Sequence, residues 1–74
     1  MRLEMRRLRQ EQGLTQDVLA RSVGLHRAAY TRIEQGHRTP NVLMGLRLAR
    51  ALGSTVEALF GEELDGKSVE DENV

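Results

Sequence analysis

With 74 residues the chain is sized for one small domain with a thin hydrophobic core, and the absence of cysteine removes disulfides and thiolate metal sites as supports for it. Two histidines, His26 and His37, are too few for a structural zinc site, so no metal or cofactor is expected, and no apolar run is long enough to span a bilayer. The zero net charge is the sum of two opposite blocks: residues 1–60 carry ten arginines and five acids, and residues 61–74 carry six acids and Lys67.

A basic body of this kind is either an ordinary solvated surface or the electrostatic footprint of phosphate binding, and the spacing of its residues has to decide. Met1 is followed at once by Arg2, Glu4, Arg6 and Arg7, which does not read as a basic-then-apolar leader, so a cytoplasmic protein is expected. In the same segment Leu3, Met5 and Leu8, set among alternating charges, predict an amphipathic helix over about residues 2–12, ended by Gly13. Thr15 is suited to cap a second helix, with Asp17 in the positive first turn, an apolar stripe of Val18, Leu19 and Val23, and a stop at Gly24. A third helix starts near His26 or Arg27 and runs to Gln35, where Gly36 can take the left-handed conformation that closes a helix. Thr39, Pro40 and Asn41 then supply an extended residue, a proline and an N-cap for a fourth helix from about Val42 to Leu52, ahead of Gly53. Within it Gly45 costs about 1 kcal/mol relative to alanine. Thr55 caps a last short helix through Phe60.

No segment alternates apolar with polar residues over a strand's length, so the predicted fold class is all-α: a compact five-helix domain over residues 1–60. Residues 61–74 are acidic, with Leu64, Val69 and Val74 as their only large apolar groups, which predicts a short disordered tail.

The third helix carries the functional signal. At about 100° per residue, Arg27, Thr31, Gln35, Ala28 and Arg32 share one face, while Ala29, Ile33 and Tyr30 share the other. Arginine forks suit guanine O6 and N7, glutamine suits adenine, and alanine or threonine methyls suit thymine, so the first face has the residue set of a major-groove reader. An amphipathic surface helix would look similar, and the spacing to the second helix separates the two. Ala20 and Gly24 lie four apart and are followed by apolar Tyr30 and Ile33, which suits a close helix pair joined by a glycine turn. Tyr30 is expected in the core with its hydroxyl at the rim.

The runs Gly13-Leu14-Thr15-Gln16, Leu19-Ala20, Val23-Gly24-Leu25, Ile33-Glu34-Gln35-Gly36 and Ala49-Arg50-Ala51-Leu52-Gly53 together resemble the successive signatures of the phage-repressor/Cro-type (XRE) helix-turn-helix family, of lambda-repressor-like fold, over about residues 5–60. The resemblance implies sequence-specific binding of double-stranded DNA by a transcriptional regulator, a repressor first of all, with residues 27–35 in the major groove. It implies base contacts from Arg27, Ala28, Thr31 and Arg32, and a phosphate contact from Gln16 at the start of the second helix. It also implies that His37, Arg38 and Thr39 follow the DNA backbone, and that Arg9 and Glu34 form a structural pair in which Arg9 is also oriented toward phosphate. His26 stands where the family usually has a serine or threonine cap, and is expected to touch phosphate instead.

Nothing in the chain supports an enzyme: there is no cysteine nucleophile, metal-ligand cluster or glycine-rich phosphate loop. The rival is a protein-interaction module or antitoxin-like partner-binding protein on the same fold, against which Arg27 and Arg32 weigh, since a docking surface would carry large apolar groups at those positions. No small-molecule ligand and no membrane is expected. Val56, Leu59, Phe60 and Leu64 are more apolar groups than a short terminal helix can bury by itself, so that some of them belong to the core and the rest predict a homodimer joined mainly through the fifth helix and the end of the fourth, on a near-palindromic operator.

Overall fold

The computed structural model describes residues 1–64, apart from the side chain of Leu64. These form five helices, α1 (Leu3–Glu11), α2 (Gln16–Val23), α3 (Arg27–Gln35), α4 (Val42–Leu52) and α5 (Val56–Leu64), with no strand among the described residues. The all-α, five-helix class expected from the sequence is therefore observed, whereas the tail expected to be disordered lies, from residue 65 on, outside the described residues. No helix among the described residues is long and apolar enough to cross a membrane.

The helix boundaries have local causes. The hydroxyl of Thr15 accepts a hydrogen bond from the backbone N–H of Val18 at 3.1 Å, the side-chain oxygen of Asn41 accepts one from Met44 at 2.8 Å, and the hydroxyl of Thr55 one from Ala58 at 3.1 Å. Each removes one of the N–H groups that a helix start leaves unpaired. The turn from α2 into α3 is made by Gly24, at φ 83°, and is locked by the N–H of Leu25 donating to the carbonyl of Ala20 at 2.8 Å. Only glycine takes that backbone conformation without penalty, so the angle between the two helices is written at this position.

The core joins all five helices through Met5, Leu19, Ala20, Val23, Tyr30, Ile33, Leu48, Ala49, Leu52, Leu59 and Phe60. Helix α2 packs against α3 and α4, while α1 touches α3, α4 and α5. Ala20 is fully buried where α2 meets its neighbours, which is the close approach its small side chain suggested.

Four expectations need correcting. The apolar stripe of α1 does not include Leu3, which is 69 % exposed; Met5 and Arg9 face inward, one turn apart, with Leu8 partly covered beside them. Leu3 lies two residues before Met5, about 200° around the helix, and so points away. Val18 is likewise half exposed, and the buried side of α2 is Leu19, Ala20 and Val23. Helix α5 runs past Phe60 through a helical Gly61 to Leu64. Finally, Leu59 and Phe60, expected at a subunit boundary, are 6 % and 7 % exposed within the protomer, and Val56 packs against the same core. The short terminal helix buries them because α1 and α4 flank it and the Arg2 guanidinium covers the Phe60 ring at 4.9 Å. The side chain of Leu64 lies outside the described residues. Large apolar groups are instead exposed along α4, where Val42 is 81 %, Leu43 59 % and Leu46 47 % exposed. Gly45 is buried, and a Cβ there would meet the Phe60 ring at an ordinary 3.8 Å, so nothing in its surroundings requires a glycine.

Candidate nucleic-acid interface

Helix α3 divides sharply between its two faces. Tyr30, Ile33 and Glu34 are buried, while Arg27, Ala28, Arg32 and Gln35 are exposed and Thr31 sits at the boundary. Among the described residues the side chains of Arg27, Arg32 and Arg38 make no ion pair and no hydrogen bond. By contrast Arg7 bridges Glu4 and Glu11, Arg21 pairs with Asp17, Arg9 with Glu34, and Arg2 with Glu63. Arg47 and Arg50 of α4 likewise have no ion-pair partner among the described residues, beside Arg21 along a groove between α2 and α4. The α3 arginines differ from these in standing on the helix that follows the glycine turn, with a small Ala28 between them, so that a base edge can approach the backbone there.

Behind this face lies a fully paired polar cluster. Glu34, 2 % exposed, accepts from Arg9 Nε at 2.7 Å and Nη2 at 3.2 Å, from the Tyr30 hydroxyl at 2.6 Å and from Gln16 Nε2 at 3.0 Å. Arg9 spends its remaining nitrogen, Nη1, on the carbonyl of Leu14 at 2.8 Å, and Thr31 donates its hydroxyl to Gln16 Oε1 at 2.9 Å. No buried side-chain nitrogen or oxygen among the described residues lacks a partner. Burial is the largest single influence on the Glu34 carboxyl and would raise its pKa, but the hydrogen bonds from Arg9, Tyr30 and Gln16 together outweigh it and hold the group below its ordinary value. The Tyr30 hydroxyl is pushed well above its ordinary value, by burial first and then by its hydrogen bond to Glu34.

This geometry sorts the residues singled out from the sequence. Arg27, Ala28 and Arg32 are together on the open face. Thr31 is adjacent; its hydroxyl proton is committed to Gln16, so that side chain orients the Gln16 amide and keeps its methyl and its hydroxyl lone pairs for other contacts. The Arg9–Glu34 pair is a buried link between α1 and α3, and each of the three Arg9 nitrogens makes a hydrogen bond inside the protein, which is the structural side of its expected role. Gln16, the first residue of α2, has its amide oriented by Thr31 on one side and Glu34 on the other, with one N–H left to donate. His26 is exposed, makes no side-chain cap and precedes Arg27; His37 and Arg38 are exposed in the turn after Gly36. Thr39 is exposed as well, yet its hydroxyl donates to Glu63 at 3.1 Å, so that group is not free for phosphate as expected. The Tyr30 hydroxyl is wholly interior rather than at the rim. Sequence reasoning missed this hydroxyl's partner, Arg2 and Glu63. An (i, i+4) spacing of Tyr30 and Glu34 could have suggested the first, whereas nothing local points to a pair 61 residues apart.

A family model described as "Helix-turn-helix" matches residues 5–59. The chain is 40 % identical over 67 residues to an uncharacterized HTH-type transcriptional regulator of Methanothermobacter thermautotrophicus, covering 89 % of this chain and 97 % of that protein. It is 36 % identical over 70 residues to one of Archaeoglobus fulgidus, covering 90 % and 100 %, and 38 % identical over 53 residues to the regulator YqaF of Bacillus subtilis, covering 72 % and 70 %. No solved structure matches the chain.

Proposed function

Because the chain belongs to the XRE-type helix-turn-helix family, we propose that it is a DNA-binding transcriptional regulator that reads double-stranded DNA with α3 in the major groove. The observation that carries this reading is the open face of α3, where unpaired Arg27 and Arg32 flank Ala28 on a helix whose back is fixed by the Glu34 cluster. A rigid backing matters because a bidentate arginine–guanine contact, whose loss typically costs about 1–3 kcal/mol of discrimination, depends on a side chain held at the right height in the groove. In this reading Arg27 and Arg32 take guanines and Ala28 and the Thr31 methyl take a thymine methyl. The remaining N–H of Gln16 takes a phosphate near the N-terminus of α2, where backbone N–H groups also favour an anion. His26, His37 and Arg38 follow the same backbone, and Thr39 does so through its main chain, its hydroxyl being held by Glu63.

Repression by occupying an operator, in the cytoplasm, is the mode of action that goes with this reading. The proposed assembly is a homodimer on a near-palindrome with half-sites about 34 Å apart. The exposed strip of Val42, Leu43 and Leu46 supports it better than the buried Leu59 and Phe60 do. The same strip is the one observation that favours the rival of a protein-docking or antitoxin-like module, and this reading assigns it to a second copy. Selection from random duplexes, followed by stoichiometry on the selected site, tests both parts. A defined half-site repeated with inverted symmetry and two protomers per duplex is expected; recovery of no preferred sequence would overturn the reading.

A further inference from the structure

Arg2 precedes α1 and plays no part in the face assigned to DNA, yet its side chain is 8 % exposed and engages every direction its guanidinium can donate. Nε and Nη2 each reach a carboxylate oxygen of Glu63 at 2.9 Å, Nη2 also reaches the Thr39 hydroxyl at 3.3 Å, and Nη1 donates to the carbonyls of Ile33 and, at 2.9 Å, Arg38. Its backbone N–H donates to the carbonyl of Glu34 at 2.7 Å. Two of these acceptors are carbonyls of the last turn of α3, a place where a helix leaves oxygens without partners and where positive charge is favoured by the helix dipole.

The turn that follows α3 is held unevenly. Gly36 and His37 donate their N–H groups back to Ile33 and Arg32, but no backbone-to-backbone hydrogen bond involves Arg38 or Thr39 among the described residues. What fixes those two positions is Arg2, through the Arg38 carbonyl and the Thr39 hydroxyl, with Glu63 closing the ring from α5. We propose that Arg2 is the positioning residue of the phosphate-facing turn after α3, and that Glu63 is the counter-charge that holds it there. Arg2 is too buried to meet a phosphate itself, so its effect on DNA passes through Arg38. A lysine concentrates three donors on one compact ammonium and so reaches fewer of these separated carbonyl, hydroxyl and carboxylate acceptors at once.

The proposal rests on the DNA reading, and its test has one arm without DNA. In the free protein, Arg2→Met should speed amide exchange at His37, whose N–H is bonded to Arg32, and raise backbone mobility at residues 37–39 while leaving α2 unchanged; an unaltered turn would overturn the proposal whatever the protein binds. With DNA, one phosphate contact contributes about 0.9 to the slope of log affinity against log salt, equivalent to a roughly three- to fourfold change between about 50 and 200 mM salt. Arg2→Met should lose that increment, as Arg38→Ala does, and the double variant should lose no more, with Arg2→Lys intermediate. Additive losses would mean that Arg2 touches phosphate directly, and a full slope with merely less active protein would mean that it only supports the fold; either result overturns the assignment. Should Arg2→Met fail to fold, Glu63→Gln, which keeps shape and removes the charge, must show the same direction in both arms. If the unaltered protein binds no duplex, the DNA reading fails while the amide-exchange arm still decides the role of Arg2.

Discussion

Two arginines near the start of the chain, Arg9 and Arg2, each hold a glutamate far away in sequence, and they behave as different kinds of object. Arg9 and Glu34 are both buried, join α1 to α3 and recruit Tyr30, Gln16 and Thr31, so that one carboxylate organises the inner side of α3. Arg2 and Glu63 join the start of α1 to the end of α5, with the carboxylate about one-third exposed, and their acceptors are mostly backbone and the turn after α3. A buried pair that loses one partner strands a charge out of water, whereas a pair at the rim is relieved by solvent. The first cluster should therefore govern stability and the pose of α3, and the second the order of one turn.

Glu34→Ala presents the largest break in that comparison. It leaves Arg9, Tyr30 and Gln16 without their common acceptor, and a loss of about 3–5 kcal/mol in chemical denaturation is expected, enough to unfold a domain of this size at moderate temperature. Tyr30→Phe removes one donor to a charged group while preserving the ring, and should cost about 1–3 kcal/mol. Glu63→Gln should change stability by less than about 1 kcal/mol, since its carboxylate is partly solvated. A Glu63 variant as costly as Glu34→Ala would erase the distinction.

Acid sharpens the same contrast. Because the folded-state pKa of Glu34 lies below its ordinary value of 4.5, the stabilisation it provides is fully present above that value and is lost as pH falls through the lowered folded-state pKa. Thermal unfolding followed from neutral pH downward should show the unaltered protein losing stability below about pH 4.5 more steeply than Glu34→Gln, which has no charge to lose. Parallel curves would show that the buried carboxylate draws nothing net from its three donors.

The division between the clusters is also the division between what the sequence shows and what it conceals. Local chemistry made the helices legible: Thr15, Asn41 and Thr55 cap, Gly24, Gly36 and Gly53 close, and the boundaries fall where those residues stand. The Arg9–Glu34 pair was legible only through family resemblance, and its burial was not, because a charged pair at a separation of 25 reads as surface until three helices close over it. The Leu3 and Val18 errors share one cause, namely that a short helix with apolar residues on two sides does not declare which side the core will take. Leu59 and Phe60 read as surplus because the cover over them includes Arg2, a residue whose sequence neighbourhood says nothing about α5.

The central claim is that the open face of α3 reads bases while Gln16 and the turn hold phosphates. Its most direct measurement is a matrix of operator affinities for Arg27→Ala, Arg32→Ala, Gln16→Ala and Arg38→Ala against every single-base variant of one half-site, at two salt concentrations. At least one of the α3 arginine variants should lose about 1–3 kcal/mol and relax preference at one base pair, Gln16→Ala should weaken all sites by a similar factor, and Arg38→Ala should also reduce the salt slope by about one. If Arg27→Ala and Arg32→Ala both lowered affinity uniformly and left every base preference intact, α3 would not be reading sequence through these arginines.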